Sequence, residues 1–290
     1  MTSDDLLAVL ACPRCRSQLV IESAPARSIR CEICALEFTQ TASGYDFKAA
    51  GLPPRLETSL PIWSKLQANG LMSYQLAPEL NLATRERRDV TAFREFMSLE
   101  GYVLDVGCGP QPAVPGYIDS TQSIDYVGLD PLPGDRKREF VHISGYAEML
   151  PFADKVFGSV IFATSLDHLL DIRLALAEAA RVLRPEGTVY IWTDDLNEAQ
   201  DMSSWTRRAL RIAIRGTEQA LTGVRRMGMR RTFHYLRRAI DMQVPAGAVD
   251  YFHVALPTVG EVIACLANAG LKVTGKQTYQ RSLFLRACVE

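Results

Sequence analysis

Four cysteines near the amino end, and an aspartate that runs into two glycines near residue 105, carry the most legible chemistry in this chain of 290 residues. Cys12-Pro13-Arg14-Cys15 and Cys31-Glu32-Ile33-Cys34 are two Cys-x2-Cys knuckles, fifteen residues apart. Each short spacing lets two thiolates converge on one ion, and two knuckles complete a tetrahedral sulfur shell. Structural zinc prefers that closed set, which leaves no open position for catalysis. Iron suits the same four thiolates, so spacing leaves the metal open between the two. A pair of Cys-x2-Cys disulfides is the poorer reading. With no signal peptide in view, the expected compartment is the reducing cytoplasm. Cys108, Cys265 and Cys288 have no such spacing and read as structural or incidental.

Val103-Leu104-Asp105-Val106-Gly107-Cys108-Gly109 reads as a short buried strand that ends in a sharp turn. Glycine permits that turn and leaves no side chain between main chain and ligand. A nucleoside then packs against Gly107 and Gly109, and Asp105 offers a carboxylate to its cationic or hydroxylated part. About one β-α-β unit later, Tyr126-Val127-Gly128-Leu129-Asp130 is a second strand ending on an acid placed to accept ribose hydroxyls. Gly145-Tyr146-Ala147-Glu148-Met149-Leu150-Pro151-Phe152 precedes a third apolar run, 156–163, which breaks at Thr164-Ser165-Leu166-Asp167-His168. A helix is expected from about Asp171 to Leu183, with Leu174, Ala177, Ala180 and Arg181 at helical spacing. It stops at Arg184-Pro185-Glu186-Gly187, and the strand Thr188-Val189-Tyr190-Ile191-Trp192 follows. This alternation predicts an α/β fold with a doubly wound sheet.

The order of these motifs resembles the class I S-adenosylmethionine-dependent methyltransferases, the type 11 subgroup above all, over residues 84–290. The resemblance implies a Rossmann-like sheet in which Asp105, Gly107 and Gly109 cradle S-adenosylmethionine and Asp130 binds its ribose. It also implies that Ala147 and Glu148 lie at the adenine edge and that Thr164 lines the pocket floor. The chain departs from the family pattern twice. It has Pro110-Gln111-Pro112 where a third glycine is usual, and Tyr146 where an aspartate often precedes the Ala-Glu pair. The segment 1–50 resembles the small zinc-ribbon module fused to some bacterial methyltransferases, related to the activator subunit of certain eukaryotic ones. Bacterial ribosomal-RNA guanine methyltransferases also begin with a zinc module, but usually with histidine where this chain has Cys34. Some members of such families act as partners or scaffolds without catalysis, and the missing third glycine leans that way.

Three segments are therefore expected: a four-cysteine zinc ribbon at 1–50, a linker and N-terminal cap at 51–83, and the methyltransferase domain at 84–290. The joint is the proline-rich stretch from Gly51-Leu52-Pro53-Pro54 to Pro61. A helix from Thr84 to Leu99 would carry Val90, Phe93, Phe96 and Met97 on one stripe. Thr258 opens another to about Ala269, and strands near 271–274 and 282–287 close the sheet. No run of eighteen apolar residues marks a membrane span. The net charge of −1 hides an uneven distribution. Between Trp205 and Ile240, inside a helical insertion at 195–250 after the fifth strand of the domain, ten arginines face one acid, Glu218. Leu210, Ile214, Leu221 and Val224 share a helical stripe there, with Arg208, Arg211 and Arg215 on the other side. A solvated cap, a surface for anionic lipid or a lipid-linked phosphate, and an RNA-phosphate surface all fit. Few aromatics are interleaved, Phe233 and Tyr235 mainly, so base stacking is poorly supported.

Methyl transfer to a hydroxyl needs its proton removed, and histidine is the side chain whose ordinary pKa lies near neutrality. His168 and His253 are the candidate bases, with Asp167 to orient a histidine or a substrate hydroxyl; structural roles for both histidines stay open. The Ser-Leu-Asp-His run at 165–168 and the Phe252-His253 pair also occur in methyltransferases among bacterial surface-polysaccharide enzymes. That resemblance makes a glycan, lipid-linked saccharide or small hydroxylated molecule the expected acceptor, with RNA (rRNA or tRNA) as the alternative. The expected location is the cytoplasm, at the inner membrane face if the insertion engages lipid.

Overall fold

Val103, Leu104 and Val106 are buried, and the whole of Phe157–Ala163 is, as expected of strands covered on both faces. They belong to a sheet that holds eleven strands in the computed structural model, which describes residues 3–21, 28–119, 121–134, 137–194, 221–240, 242 and 244–289. In chain order the strands are β1 (Val20–Ile21), β2 (Ser28–Cys31), β3 (Leu36–Gln40), β4 (Gly44–Asp46), β5 (Gly101–Val106), β6 (Ile124–Leu129), β7 (Val141–Ser144), β8 (Phe157–Ala163), β9 (Leu183–Asp194), β10 (Leu271–Tyr279) and β11 (Ser282–Val289). Their spatial order is β1-β2-β3-β4-β7-β6-β5-β8-β9-β11-β10. From β7 to β9 every pairing is parallel, and β11 runs antiparallel between β9 and β10. The chain winds from β5 to one side through β6 and β7, then returns to β8 on its other side. That reversal opens a crevice at the carboxyl end of β5, where the glycines lie.

The helices are α1 (Ser3–Val9), α2 (Pro54–Glu57), α3 (Leu60–Leu76), α4 (Pro78–Asn81), α5 (Arg88–Phe96), α6 (Ile172–Val182), α7 (Met229–Ile240) and α8 (Val259–Asn268). α5 is shorter at both ends than the span from Thr84 to Leu99, yet Val90, Phe93 and Met97 of the expected stripe are buried. Phe93 packs with Trp192 and Phe284 on one face of the sheet. The Asp171 side chain starts α6 by accepting from the Arg173 and Leu174 amides. Its buried face is Ala175, Leu176, Glu178, Ala179 and Val182, nearly opposite the residues expected at helical spacing, of which Ala177 is exposed. α8 opens with a capping box between Thr258 and Glu261.

The cysteine-bearing segment continues this sheet. β4 pairs in parallel with β7, Tyr45 opposite Ile143, and a Cβ on Gly44 would stand 2.1 Å from the His142 carbonyl oxygen. The Ala11 amide donates to the Pro151 carbonyl at 3.0 Å, and the Ala153 amide to that of Val9 at 2.9 Å. Leu10, Phe38 and Phe47 thereby join one core with Leu129, Phe152 and Phe157. Residues 51–83 carry α2, α3 and α4, and α3 reaches the far side of the crevice. In the insertion, residues 221–227 and α7 are helical; Arg208, Leu210, Arg211, Ile214 and Arg215 lie outside the described residues. Among the described residues, no helix is long and apolar enough to cross a membrane.

Candidate active site

Gly107 and Gly109 turn the chain at φ +81° and +78°. A Cβ at Gly107 would lie 2.4 Å from the Ser165 Cβ, while the Ser165 hydroxyl donates to the Val106 carbonyl at 2.6 Å. The loops after β5 and β8 are thus interlocked by a glycine that nothing else can replace without displacement. At Gly109 the nearest atom to a built Cβ is the Tyr74 hydroxyl oxygen at 3.9 Å, so its backbone faces open space.

Asp105 is fully buried, and its Oδ2 accepts from the hydroxyls of Tyr117 at 2.7 Å and Tyr126 at 2.6 Å. Its Oδ1 is buried with no hydrogen-bond partner. Burial pushes the carboxyl up to about 6, against the two tyrosine hydrogen bonds. An acceptor so placed calls for a donor that a cationic ligand group would supply. Asp130 is also buried; its Oδ2 accepts from the Gly109 amide and its Oδ1 from the Leu132 amide, each at 2.8 Å. Those bonds hold the glycine loop, and each carboxylate oxygen retains a second lone pair for a hydroxyl donor.

Thr164 ends β8 in the left-handed region at φ +55°, its amide bonded to the Trp192 carbonyl at 2.7 Å. It lines the small pocket at Gly107 and Gly109 together with Tyr117 and Trp192. Tyr74 and Arg87 close the same pocket and were invisible to sequence reading, because only the packing of α3 and the start of α5 brings them there. Burial, with the charge of Asp130 beside it, pushes Tyr74 up to about 12. Arg87 binds Asp89 through two nitrogens, at 3.1 and 2.7 Å, and lies 5.8 Å from the Trp192 ring centre. Ala147 and Glu148 are buried. The Glu148 carboxylate turns to the loop after β8, accepting from the Leu170 amide at 2.8 Å and the Asp171 amide at 3.1 Å.

That loop carries Asp167 and His168 in a short 3-10 turn, Leu166–His168. Trp63 of α3 fixes it by donating from Nε1 to the His168 carbonyl at 2.7 Å. His168 and His253, distant in sequence, stack at 4.6 Å with planes 26° apart. His253 Nε2 lies 3.1 Å from Asp167 Oδ2, and its Nδ1 lies 2.8 Å from the Asp250 carboxylate. Burial pulls the His253 pKa down, but the bonds and charges of the two aspartates outweigh it and hold the group at about 9. His253 is therefore a cation at neutral pH with both ring nitrogens engaged, a poor base. His168 Nδ1 lies 3.3 Å from the Phe252 carbonyl oxygen, an acceptor only, so a proton on Nδ1 leaves Nε2 as the lone pair. The loop that carries Asp167 and His168 begins at Ser165, the residue that meets Gly107.

The sulfurs of Cys12, Cys15, Cys31 and Cys34 all lie within 4.8 Å of one another, and all four are free thiols. Each knuckle is followed by a residue at positive φ, Arg16 at +63° and Ala35 at +54°, so the two repeat one backbone turn. The Ser17 hydroxyl and amide lower Cys15 to about 6, and the Cys34 amide lies 3.3 Å from the Cys31 sulfur. Four convergent sulfurs with donors behind them suit a thiophilic ion.

Among curated proteins, the fatty-acid O-methyltransferase of Mycolicibacterium smegmatis is 29% identical over 159 residues, 51% of this chain and 57% of that protein. The demethylmenaquinone methyltransferase of Mycobacterium marinum is 38% identical over 60 residues, 21% of this chain and 26% of that protein. The chain spans about half the length of the first relative and about a quarter of the second. Among solved structures, a chain from the complex of the Haloferax volcanii Trm112 methyltransferase activator is similar in fold. The TM-score is 0.50 at 15% identity, over 79% of this chain and 97% of that one. Residues 104–191 match the methyltransferase domain family Methyltransf_11. That span runs from β5 to β9 and holds both glycines, Asp130, Thr164, Asp167 and His168. On this Rossmann-like sheet, residues 104–191 are similar to the methyltransferase domain family.

Proposed function

We propose that the chain is an S-adenosylmethionine-dependent methyltransferase that acts on a hydroxyl of a glycan, lipid-linked saccharide or other hydroxylated small molecule. The matched methyltransferase domain supports the reaction class, and the stacked His168–His253 pair, His168 on the loop that meets Gly107 at Ser165, carries the choice of a hydroxyl. The name of the Mycolicibacterium relative, an O-methyltransferase, supports an oxygen nucleophile. Bound S-adenosylmethionine supplies a methyl group already activated on a sulfonium. The chain's own work is to bind, align and handle one proton. Asp105 Oδ1 offers a buried acceptor to a cationic donor, Asp130 accepts from ribose hydroxyls, and Thr164 with Tyr74 walls the pocket. His168, its Nδ1–H turned to the Phe252 carbonyl, takes the acceptor's hydroxyl proton at Nε2. His253, held cationic between Asp167 and Asp250, fixes the imidazole it stacks on. In the amino-terminal fifty residues, Cys12, Cys15, Cys31 and Cys34 hold one structural zinc that braces the end of the sheet formed by β1 to β4.

The test is mass spectrometry for a gain of one methyl group across a panel of glycans, lipids, small alcohols and RNA, with parent and His168→Asn proteins. Methylation of a hydroxylated acceptor by the parent, reduced at least a hundredfold in His168→Asn with cofactor affinity kept, is the expected result. Methylation of RNA alone, or equal rates in both proteins, overturns the acceptor assignment. A folded parent that binds neither S-adenosylmethionine nor its demethylated product is a scaffold.

A further inference from the structure

We infer that residues 221–240 form a docking surface for a bilayer rich in anionic lipid. These twenty residues hold six arginines and no acid. Gly228, at φ +81°, separates the helical residues 221–227 from α7. One side of the pair is fastened to the fold. Met227 and Thr232 are buried, Arg226 Nη1 donates to the Glu79 carbonyl at 3.1 Å, and Arg231 pairs with the Glu79 carboxylate. At 100° per residue, Met229, Phe233 and Leu236 occupy one sector of about 60° on α7. Their exposures of 75%, 69% and 37% show that this sector faces away from the protein. Arg230 and Arg237 border it, and Leu221 and Val224 extend the exposed apolar surface before the glycine.

The combination decides what the surface meets. A solvated helix would show polar side chains where Met229 and Phe233 stand, and RNA phosphate needs the arginines but no exposed apolar sector. An apolar stripe flanked by arginine is the pattern of a helix lying in the plane of a membrane, its apolar side chains at the acyl boundary and its guanidinium groups on lipid phosphate. α7, with twelve residues, is too short to span. The chain leaving it exposes Val244, Val249 and Tyr251 on the way to His253, so the docking surface leads in sequence to the candidate acceptor site. This inference does not rest on the methyl-transfer reading, because binding to lipid is measured without catalysis.

The experiment is flotation of the full chain with vesicles of phosphatidylcholine alone or mixed with phosphatidylglycerol, at several salt concentrations. The parent should float with the anionic vesicles, stay behind with pure phosphatidylcholine, and lose affinity as salt rises. Neutralising any one of Arg225, Arg230, Arg237 or Arg238 should weaken binding about fivefold. Met229→Asp with Phe233→Asp should abolish flotation at every salt concentration. Since both side chains face outward, melting temperature and S-adenosylmethionine affinity should match the parent. A parent that does not float with anionic vesicles overturns the inference, as does a double variant that floats equally well. Tight RNA binding with a steep salt slope, unaffected by the two aspartates, would assign the surface to nucleic acid instead.

Discussion

Replacing Asp105 with asparagine should make the protein more stable and its cofactor affinity worse. The carboxyl is fully buried, with Oδ2 on two tyrosine hydroxyls and Oδ1 without a partner. Burial raises it from 3.8 to about 6. A shift of roughly two units corresponds to about 3 kcal/mol that the ionised form costs the fold. The sign follows from proton binding. Between about pH 4 and pH 6 the folded state holds the proton more tightly than the unfolded chain, so stability falls as pH rises through that window, and the deficit is complete above it. Asparagine removes the titration at nearly constant volume, and the two hydroxyls can rotate to suit its amide. Denaturant unfolding should show Asp105→Asn gaining about 1–3 kcal/mol at pH 7.5 and close to nothing at about pH 3. Calorimetry at pH 7 should show S-adenosylmethionine bound roughly 10- to 150-fold more weakly, the value of about 1.5–3 kcal/mol for a hydrogen bond to a charged group. A variant that binds the cofactor as tightly as the parent would refute the assignment of Oδ1 to a cationic ligand group.

Asp130→Asn should weaken S-adenosylmethionine binding by about tenfold or more in calorimetry, since one charge-assisted acceptor is lost. His253 has a raised pKa, so its contribution is complete below about pH 6.5 and lost as pH rises through about 9. Unfolding should show the parent losing about 2 kcal/mol across that range, less than the shift alone implies because Asp250 is partly exposed, while His253→Gln stays flat. Elemental analysis should find one zinc per chain, absent in Cys31→Ser. Chelation should lower the melting temperature of the whole fold, because Leu10, Phe38 and Phe47 share a core with β6 and β8. Trp63→Phe should reduce turnover several-fold while leaving cofactor affinity unchanged, as it frees the carbonyl of His168 from its anchor.

Local signals placed the β-α-β order, the glycine turn and the cysteine knuckles, because each is written in a few adjacent residues. The buried acids Asp105 and Asp130 were legible for the same reason: each lies within one residue of a strand's end. Lost to sequence reading were the partners that only packing provides. For Glu148, packing adds the Leu170 and Asp171 amides, which donate to its carboxylate. For His253, packing adds Asp167 and Asp250, from different segments, at its two ring nitrogens. The buried face of α6 was misread because Leu174, Ala177 and Ala180 fit helical spacing as well as Ala175, Leu176 and Ala179 do, and both faces of the helix are rich in alanine and leucine. The pairing of β4 with β7 had no signal beyond Gly44, whose missing side chain is what allows the two backbones to meet.

The central claim is that the crevice between the loops after β5 and β8 binds S-adenosylmethionine. Calorimetric titration of the intact, metal-loaded chain tests it most directly. One molecule of S-adenosylmethionine should bind per chain, and its demethylated product should bind at the same site. Gly107→Ala should abolish both, since the added carbon would stand 2.4 Å from the Ser165 Cβ at a backbone angle of +81°. A folded parent that takes up neither compound, or a Gly107→Ala protein that binds both like the parent, would contradict it.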